Sequence, residues 1–338
     1  MNSNCNDKTK YPTLLFPDIS TSRKILSTSD CYTKSFGKFD LQSKLQSDNE
    51  NLTEQDYLNN TKKYVREWDT KDKERIISFY NNLKKFFDEK KIKLNLPSVI
   101  KIIKTTGEEE DGASGYVREG NIVMKHIENN EEFEQLFYHE FWHVATYNDK
   151  NLAKFVYSRY QYFYDNCRKI VIPNEIKNFR ISNPDIFGRN VYLKALLNEE
   201  VTQFYPMLIS NENYTTGTFF NYLYVVLFAV ENRGNKKIFK KDSSGNYIVL
   251  KVIRFAKNPG NQFKFLDNLE EKKIGYTVEK ILGYNSPYIL GHPEESLAEM
   301  FKFLVYGNWK DKKSSELICA LLNDLINYKS ITSNTFNI

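Results

Sequence analysis

The sequence predicts an α+β protein that is mostly helical and carries a small mixed sheet. Apolar side chains recur at helical spacing from Asp72 to Lys90 and from Phe133 to Val144, which favours amphipathic helices. Short runs rich in β-branched residues, at 99–103 and 115–124, favour strands instead. With 338 residues, of which 41% are hydrophobic and 27% charged, the chain can bury a sizeable core.

The first 50 residues are predicted to form a polar arm. They are rich in Ser, Asn, Asp and Lys and show no sustained periodicity, so we expect an extended or partly disordered segment. Regular structure is expected to begin near Thr53, which forms a capping pattern with Asp56. A helical hairpin over 51–95 follows, and its second helix is expected from Asp72 to Lys90.

Residues 96–150 are predicted to hold a strand, a strand pair and a central helix. The run from Val99 to Ile103 is typical of a buried strand. Within Gly115–Met124, a Glu-Gly-Asn turn signal at 119–121 separates two apolar stretches and predicts a tight hairpin. Asn129 is placed to cap the helix that follows.

The segment 151–280 is expected to be mainly helical. An amphipathic stretch from Leu152 to Phe163 and a nearly all-apolar one from Phe219 to Val230 both predict helices. Asp242–Asn246 is rich in turn formers and predicts the loop of a β-hairpin that forms a subdomain. The last predicted helices cover 294–306 and 317–326.

Composition excludes several classes of protein. The 48 basic and 43 acidic residues give a net charge of +5 without a long basic run, so no nucleic-acid partner is expected. The longest apolar stretch is about half of the roughly 20 residues that a transmembrane helix needs. The first thirty residues lack the apolar core of a Sec signal peptide. The four cysteines lack C-x-x-C spacing and are expected to be free thiols.

His139-Glu140-Phe141-Trp142-His143 is an H-E-x-x-H sequence within the predicted central helix. Residues four apart lie on the same face of a helix, so both imidazoles can meet one zinc ion while Glu140 projects beside them. The chain has only four histidines, and this motif holds two of them. The motif predicts a zinc site with His139 and His143 as ligands and Glu140 as general base.

A third protein ligand must come from elsewhere, because a catalytic zinc usually has three. One candidate is Glu199, within Asn198-Glu199-Glu200 on a predicted helix. The other is Glu295, which Glu299 follows one helical turn later. One of these two carboxylates could bind the metal while its neighbour fixes a histidine by a hydrogen bond. The remaining histidines, His126 and His292, are expected to lie outside the ligand set.

The stretch Glu295-x-x-Ala298-Glu299-x-Phe301 resembles the glutamate helix of the anthrax lethal factor catalytic domain and its relatives, the secreted Pro-Pro endopeptidases. Tyr288 stands seven residues before Glu295, as a tyrosine does in that family. The predicted strand pair and the H-E-x-x-H helix are also similar to the family's. The resemblance covers roughly residues 95–148 and 280–310.

The resemblance implies a zincin-like metalloprotease of the gluzincin type with one zinc ion per chain. In the family the first glutamate of the helix is a zinc ligand, so the resemblance favours Glu295 over Glu199. The family's tyrosine faces the metal, which implies that Tyr288 donates a hydrogen bond to the oxyanion. Glu299 is then expected to orient a histidine.

The resemblance also implies a domain organisation. The connection between the two metal-binding helices is much longer than the family's, which implies an inserted helical subdomain with a β-hairpin over 151–280. The catalytic domain would then combine residues 96–150 with 281–338. The polar arm and the helical hairpin would precede it.

The expected function is that of a metalloendopeptidase, which hydrolyses peptide bonds of a protein substrate by zinc-activated water. An extended substrate is expected to pair with the strand segment formed by Gly115, Tyr116, Val117, Ile122, Val123 and Met124. The resemblance favours a bacterial toxin or effector delivered to a host cell by a non-Sec route, with the bacterial cytoplasm as the alternative location. A non-catalytic zinc-containing binding protein and a zinc hydrolase of cell-wall peptides are the alternative functions.

Overall fold

The computed structural model describes residues 11–165, 168–266, 292–307 and 312–328, and the side chains of all of these except 312–315. Within them the chain forms a mixed α/β protein with two β-sheets. The helices are α1 (Ile19–Leu26), α2 (Lys38–Leu45), α3 (Glu54–Thr61), α4 (Thr70–Lys90), α5 (Asn130–Asn148), α6 (Lys150–Arg159), α7 (Asn174–Lys177), α8 (Pro293–Tyr306) and α9 (Lys312–Asn327). The strands are β1 (Thr13–Leu15), β2 (Val65–Arg66), β3 (Val99–Thr105), β4 (Gly115–Arg118), β5 (Asn121–Met124), β6 (Tyr162–Tyr164), β7 (Lys169–Ile170), β8 (Val191–Leu197), β9 (Glu200–Ser210), β10 (Leu223–Arg233), β11 (Lys236–Phe239) and β12 (Val249–Arg254).

The first sheet lies against the helix that carries the H-E-x-x-H sequence. Its strand order is β1-β3-β5-β4, and β2 also pairs with β3. β1 and β5 run parallel to β3, whereas β4 is antiparallel to β5. Glu119 and Gly120 join β5 to β4 with φ angles of 50° and 71°, the left-handed conformation that a two-residue hairpin turn requires. Since β4 pairs only with β5, it is an edge strand of the described sheet.

The second sheet occupies the segment between the two helices of the candidate site. Its strand order is β6-β8-β9-β10-β11-β7, and β12 also pairs with β10. β9 and β10 are its longest strands, and residues 223–230 of β10 are all buried. The sheet therefore has its own hydrophobic core around β10.

The prediction of a mainly helical segment over 151–280 is wrong for its described residues. Only α6 and α7 are helical there, and the apolar run Phe219–Val230 forms a short 3-10 turn and most of β10. A continuous apolar run suits a buried strand as well as a buried helix, so its hydrophobicity cannot distinguish the two. The predicted helix at Asn198-Glu199-Glu200 is also wrong, because these residues form the turn from β8 into β9.

The predicted β-hairpin around Asp242–Asn246 is only partly confirmed. The loop has a bridge between Lys241 and Tyr247, as a hairpin tip would. However, β11 and β12 do not pair with each other, and both pair antiparallel with β10, one after the other. They lie end to end on the same side of β10, and residues 240–248 connect them.

The prediction that residues 1–50 form a polar arm is wrong for the described residues 11–50. Three elements lie there, and β1 pairs with Val99–Lys101 of β3. Tyr32 and Tyr57 donate hydrogen bonds from their hydroxyls to the buried Glu110 carboxylate, which also forms an ion pair with Lys44. These contacts are far apart in sequence, so local composition does not reveal them.

Both helices of the hairpin predicted over 51–95 are present, but the first is shorter than predicted. Thr53 and Asp56 form the predicted capping box at the start of α3. The first helix ends at Thr61, however, because Val65–Arg66 joins the sheet as β2.

Two predicted helices meet at the candidate site. The Asn129 side chain accepts hydrogen bonds from two backbone N–H groups at the start of α5, as predicted. The helix predicted over 294–306 is α8, and its Phe301 packs on Trp142 of α5 with ring centroids 5.3 Å apart. None of the described helices has the length and apolar character that a bilayer crossing needs.

Candidate metal centre

α5 and α8 bring two histidines and a glutamate together. His139 Nε2 lies 3.3 Å from Glu295 Oε2, and His143 Nε2 lies 3.8 Å from the same oxygen. One ligand atom from each residue falls within 4.8 Å of the other two. These three side chains could therefore hold a metal ion.

Two further carboxylates orient the histidines. His139 Nδ1 lies 3.0 Å from Glu299 Oε1, and His143 Nδ1 lies 2.8 Å from Glu294 Oε1. A carboxylate only accepts hydrogen bonds, so each Nδ1 carries the proton and donates it. The Nε2 atoms then offer their lone pairs toward Glu295, the arrangement that metal-binding histidines commonly have.

Glu294 is held in its charged form by a buried cluster. Its carboxylate accepts hydrogen bonds from the hydroxyls of Thr146, at 2.5 Å, and Tyr157, and lies 3.0 Å from Arg189 Nη2. Burial alone would raise the pKa of Glu294, but the neighbouring Arg189 and His143 lower it to about 2. The charged carboxylate fixes the His143 ring.

Glu299 has a similar role on the more open side of the site. Lys302, one turn later on α8, donates to it at 2.8 Å. Although burial raises the pKa of Glu299, the hydrogen bond from His139 lowers it to about 2. Each histidine is thus held by a different charged glutamate of α8.

Glu140 lies beside the two histidines with its carboxylate buried. Its Oε2 atom and His143 Nε2 are buried polar atoms that have no hydrogen-bond partner among the described residues. Burial, with a further contribution from Asp185, raises the pKa of Glu140 to about 8. Unpartnered buried polar atoms are costly, and a metal ion with a bound water molecule would satisfy both.

The loop between α7 and β8 forms another wall of the site. Asn183 Nδ2 donates to Glu295 Oε1 at 2.8 Å. Asp185 Oδ1 accepts a hydrogen bond of 2.6 Å from the backbone N–H of Val117 in β4. Burial and the charge of Glu295 raise the pKa of Asp185 well above its usual range. Asp185 also forms a second possible metal-binding group with Glu140 and His143, again within 4.8 Å.

A cleft of about 500 Å³ opens onto the centre. Its lining includes His139, Glu140 and Glu295 together with Ser114–Tyr116 of the edge strand. The cleft therefore gives access to His139, Glu140 and Glu295 along β4.

The structure separates the two candidates for the third ligand. Glu199 lies in the exposed turn between β8 and β9, with φ of 68°, and belongs to neither possible metal-binding group of the described residues. Among the described residues, Glu199 is therefore not placed to serve as the alternative ligand, because it does not group with His139 and His143. Glu295 lies next to both histidines, as expected of a third ligand, and Glu299 contacts His139, as expected of a residue that orients it. Tyr288 lies outside the described residues.

The other two histidines lie outside the His139–His143–Glu295 group. His126 contacts Asp72 at 2.8 Å and Glu128 at 3.0 Å. His292 caps α8, since its Nδ1 accepts from the backbone N–H of Glu294 at 3.2 Å. Burial lowers the pKa of His292 to about 3.

The predicted substrate-binding strand segment needs a correction. Ile122, Val123 and Met124 belong to β5, which pairs with β3 on one side and β4 on the other, so its backbone cannot take another strand. On β4, Asp185 already occupies the N–H of Val117. Of the predicted segment, only the start of β4 around Gly115 and Tyr116 lines the cleft.

Sequence reasoning missed three residues of the site, namely Glu294, Asp185 and Arg189. Glu294 stands next to Glu295, so the Pro-Glu-Glu sequence at the start of α8 was a usable signal. Asp185 and Arg189 come from a loop in the segment predicted to be a separate subdomain, and no local pattern marks them. Comparisons with protein-family models, curated proteins and solved structures found no match to this chain.

Proposed function

We propose that the protein is a zinc-dependent metallopeptidase. The observation that carries the proposal is the pair of unpartnered buried atoms, His143 Nε2 and Glu140 Oε2, next to the meeting point of His139 and Glu295. Two imidazole nitrogens and one carboxylate oxygen form the ligand set of many catalytic zinc sites. A purely structural metal site would not need Glu140, a buried acid beside the three ligands.

Zinc, when bound, would lower the pKa of its water to about 7 and polarise the scissile carbonyl. Glu140 would take the proton from that water as its oxygen bonds to the carbonyl carbon. Glu140 would then give the proton to the amine nitrogen as the C–N bond breaks. Glu299 and Glu294 keep the two imidazoles in place throughout.

The more specific parts of the proposal rest on the sequence resemblance. They are the gluzincin relationship, the oxyanion role of Tyr288, and a bacterial toxin or effector that acts on a host protein. The zincin-like fold is likewise proposed from the resemblance. The metal centre and its chemistry can be tested without them.

The first experiment measures zinc content and peptide hydrolysis in the same preparations. The wild type should hold about one zinc per chain. Glu140→Gln should keep the zinc and lose about 10²-fold to 10⁴-fold in rate, because it cannot accept the proton. His143→Ala should lose the zinc. Glu199→Gln is the matched control, since this exposed glutamate should affect neither measurement.

Each failure has its own meaning. An active Glu140→Gln variant would contradict the proposed base. A zinc-free wild type, folded and supplied with metal, would contradict the zinc centre. Zinc in the wild type without hydrolysis of any peptide, including cell-wall peptides, would favour the non-catalytic binding protein.

A further inference from the structure

The two oxygens of the Glu295 carboxylate have different surroundings. Oε2 lies 3.3 Å from His139 Nε2 and 3.8 Å from His143 Nε2, so it faces the place where a metal ion would bind. Oε1 accepts a hydrogen bond of 2.8 Å from Asn183 Nδ2. A hydrogen bond that holds one carboxylate oxygen also restricts the direction of the other. Asn183 therefore helps to determine how Oε2 faces the two imidazoles.

The orientation of the Asn183 amide is set by two contacts of opposite kind. Its Nδ2 donates to Glu295, whereas its Oδ1 accepts from the backbone N–H of Asp185 at 2.7 Å. If the amide were turned over, its oxygen would face a carboxylate and its NH2 group would face an N–H donor, so both hydrogen bonds would be lost. The side chain can therefore hold the glutamate in only one orientation.

The backbone next to Asn183 is anchored by α2. The backbone N–H of Ser182 donates to Asp40 Oδ1 at 2.6 Å, and the Ser182 hydroxyl donates to Asp40 Oδ2 at 2.7 Å. Ser182 and Asp40 are 9% and 1% exposed, so little water competes for these hydrogen bonds. One carboxylate of α2 thus holds the residue that precedes Asn183 by two hydrogen bonds.

The anchored residues 181–183 lie between two cavities. They line the cleft at the metal centre and also a cavity of about 290 Å³, which residues 205–208 of β9 line as well. A segment that borders two cavities has fewer packing contacts than one inside a filled core. Its position therefore depends more on hydrogen bonds, and two of these come from Asp40.

We propose that Asn183 is a positioning residue for the third metal ligand, and that Asp40 of α2 acts on the metal centre through Asn183. This inference rests on the proposed function, because it concerns Glu295 as a zinc ligand. It gives a role at the centre to α2, which lies in the segment that the sequence predicts to be a polar arm. Neither Asn183 nor Asp40 needs to touch the metal for this role.

The first test is zinc affinity, measured by competition with a chelator of known affinity. Asn183→Ala should bind zinc about 10-fold to 100-fold more weakly than the wild type, as is typical when the hydrogen-bond partner of a metal ligand is removed. Asn174→Ala is the matched control, because this exposed asparagine of α7 lines neither cavity. It should bind zinc as the wild type does.

Cobalt(II) in place of zinc gives a readout that a merely structural role would not change. Its visible absorption depends on the number and arrangement of the ligand atoms. Because Glu295 loses its fixed direction in Asn183→Ala, the cobalt spectrum of this variant should differ from that of the wild type, whereas Asn174→Ala should keep it. The metal-free Asn183→Ala protein should still unfold at about the urea concentration of the wild type.

A double-mutant cycle tests the step from Asp40 to Asn183. Asp40→Ala should weaken zinc binding about 10-fold. In the Asn183→Ala background the same change should have less than about a twofold effect, because residues that act through one contact are not additive. Ser182→Ala removes one of the two hydrogen bonds to Asp40 and repeats the test without emptying the buried site: its smaller loss should also disappear in that background. Asp48→Ala, exposed just after α2, is the control and should bind zinc normally.

Several results would overturn the inference. One is wild-type zinc affinity with an unchanged cobalt spectrum in Asn183→Ala, and another is a large loss of urea stability in this variant without metal. Effects of Asp40→Ala and Asn183→Ala that multiply would remove the part assigned to α2. A wild type that binds zinc as described but hydrolyses no peptide would contradict the proposed function alone, and a wild type that binds no metal would overturn both.

Discussion

Gly115 has no side chain at the point where β4 passes Glu140. A Cβ atom at this position would lie 2.7 Å from Glu140 Oε1 and 3.0 Å from its Cδ. Both distances are shorter than ordinary contacts between such atoms, so the Glu140 carboxylate could not keep its position. The glycine is therefore needed for close packing of the edge strand on the proposed base.

We predict that Gly115→Ala lowers peptide hydrolysis by about 10²-fold, because a displacement of about 1 Å in a catalytic group has an effect of this size. The three atoms nearest to the new methyl group all belong to Glu140 rather than to a proposed ligand, so zinc content should stay at one per chain. Steady-state kinetics and elemental analysis of the same preparation measure both quantities.

Ser158→Ala provides the control for this prediction. Ser158 lies near the end of α6, its side chain is exposed, and it does not line the cleft. It should retain the wild-type rate. Full activity in Gly115→Ala would show that Glu140 does not need its present position, and would count against its role as base.

At the residue scale, the sequence reveals what is local and misses what is not. His139, Glu140 and His143 are predictable because one helical turn fixes their relation, and Glu295 and Glu299 for the same reason. Asp185 reaches the site only because its loop folds back against Val117 of β4. No spacing in the sequence encodes this contact.

Among the elements, the loop between α7 and β8 joins three helices through one side chain. Arg189 Nη1 donates to Tyr157 of α6 at 3.0 Å, and Nη2 donates to Thr146 of α5 at 3.1 Å. The same Nη2 lies 3.0 Å from Glu294 of α8. Both groups are buried, so Arg189 compensates the charge of Glu294 at a place that solvent does not reach.

We predict that Arg189→Met lowers the free energy of unfolding by about 3 to 5 kcal/mol at pH 7, because it leaves the Glu294 charge buried and unpaired. The pKa of Glu294 is lowered from 4.5 to about 2 in the folded protein. Its stabilising contribution is therefore complete above pH 4.5 and is lost as the pH falls toward 2. The difference between wild type and variant should shrink over this range in urea unfolding of the metal-free proteins.

Arg159→Met is the matched control for the buried arginine. Arg159 lies 3.3 Å from Asp324, but its side chain is 58% exposed. Such surface pairs contribute about 1 kcal/mol or less. If Arg189→Met costs no more than this control, Glu294 must be neutralised in another way.

Elements with strong local signals are the ones that the sequence predicts well. α5 and α8 have helical periodicity and a capping residue, and the β4–β5 pair has a turn that fits only a hairpin. β10 has no such local signal, because its eight buried residues 223–230 do not alternate between apolar and polar. Both faces of this strand are covered, and its partners are set by tertiary packing.

For the whole molecule, the candidate metal centre connects parts of the chain that are far apart. His143 and Glu294 are separated by 151 residues, and the second sheet lies between them. A metal ion bound by both α5 and α8 stabilises only the folded arrangement. Metal binding should therefore be visible in global stability.

We predict that a zinc chelator lowers the melting temperature of the wild type by several degrees. Free zinc at about 1,000 times its dissociation constant stabilises a protein by about 4 kcal/mol. For a domain of 150 to 250 residues, each 1 kcal/mol shifts Tm by about 2 to 4 °C. Calorimetric scans with and without chelator measure the shift.

His143→Ala serves as the control, because a variant without the centre should melt at the same temperature in both conditions. A chelator effect of equal size in this variant would place the stabilising metal elsewhere. No effect in the wild type, despite bound zinc, would mean that α5 and α8 stay together without the metal.

The overall architecture was less predictable than the site. The sequence indicates a mixture of helices and strands, and this coarse class is confirmed. The extent of the second sheet was missed, as was the incorporation of residues 11–50. In both, the decisive contacts are pairings between distant segments, such as β1 with β3 and Tyr32 with Glu110.

The separation of α5 and α8 along the chain also has a consequence during protein synthesis. At about 5 to 20 residues per second, α8 is made roughly 7 to 30 s after α5. During that interval the nascent chain offers an imidazole pair without its carboxylate. Two imidazoles alone bind copper and nickel as readily as zinc, or more so. Under the proposed function, the choice of metal would therefore be made late, when Glu295 completes the ligand set.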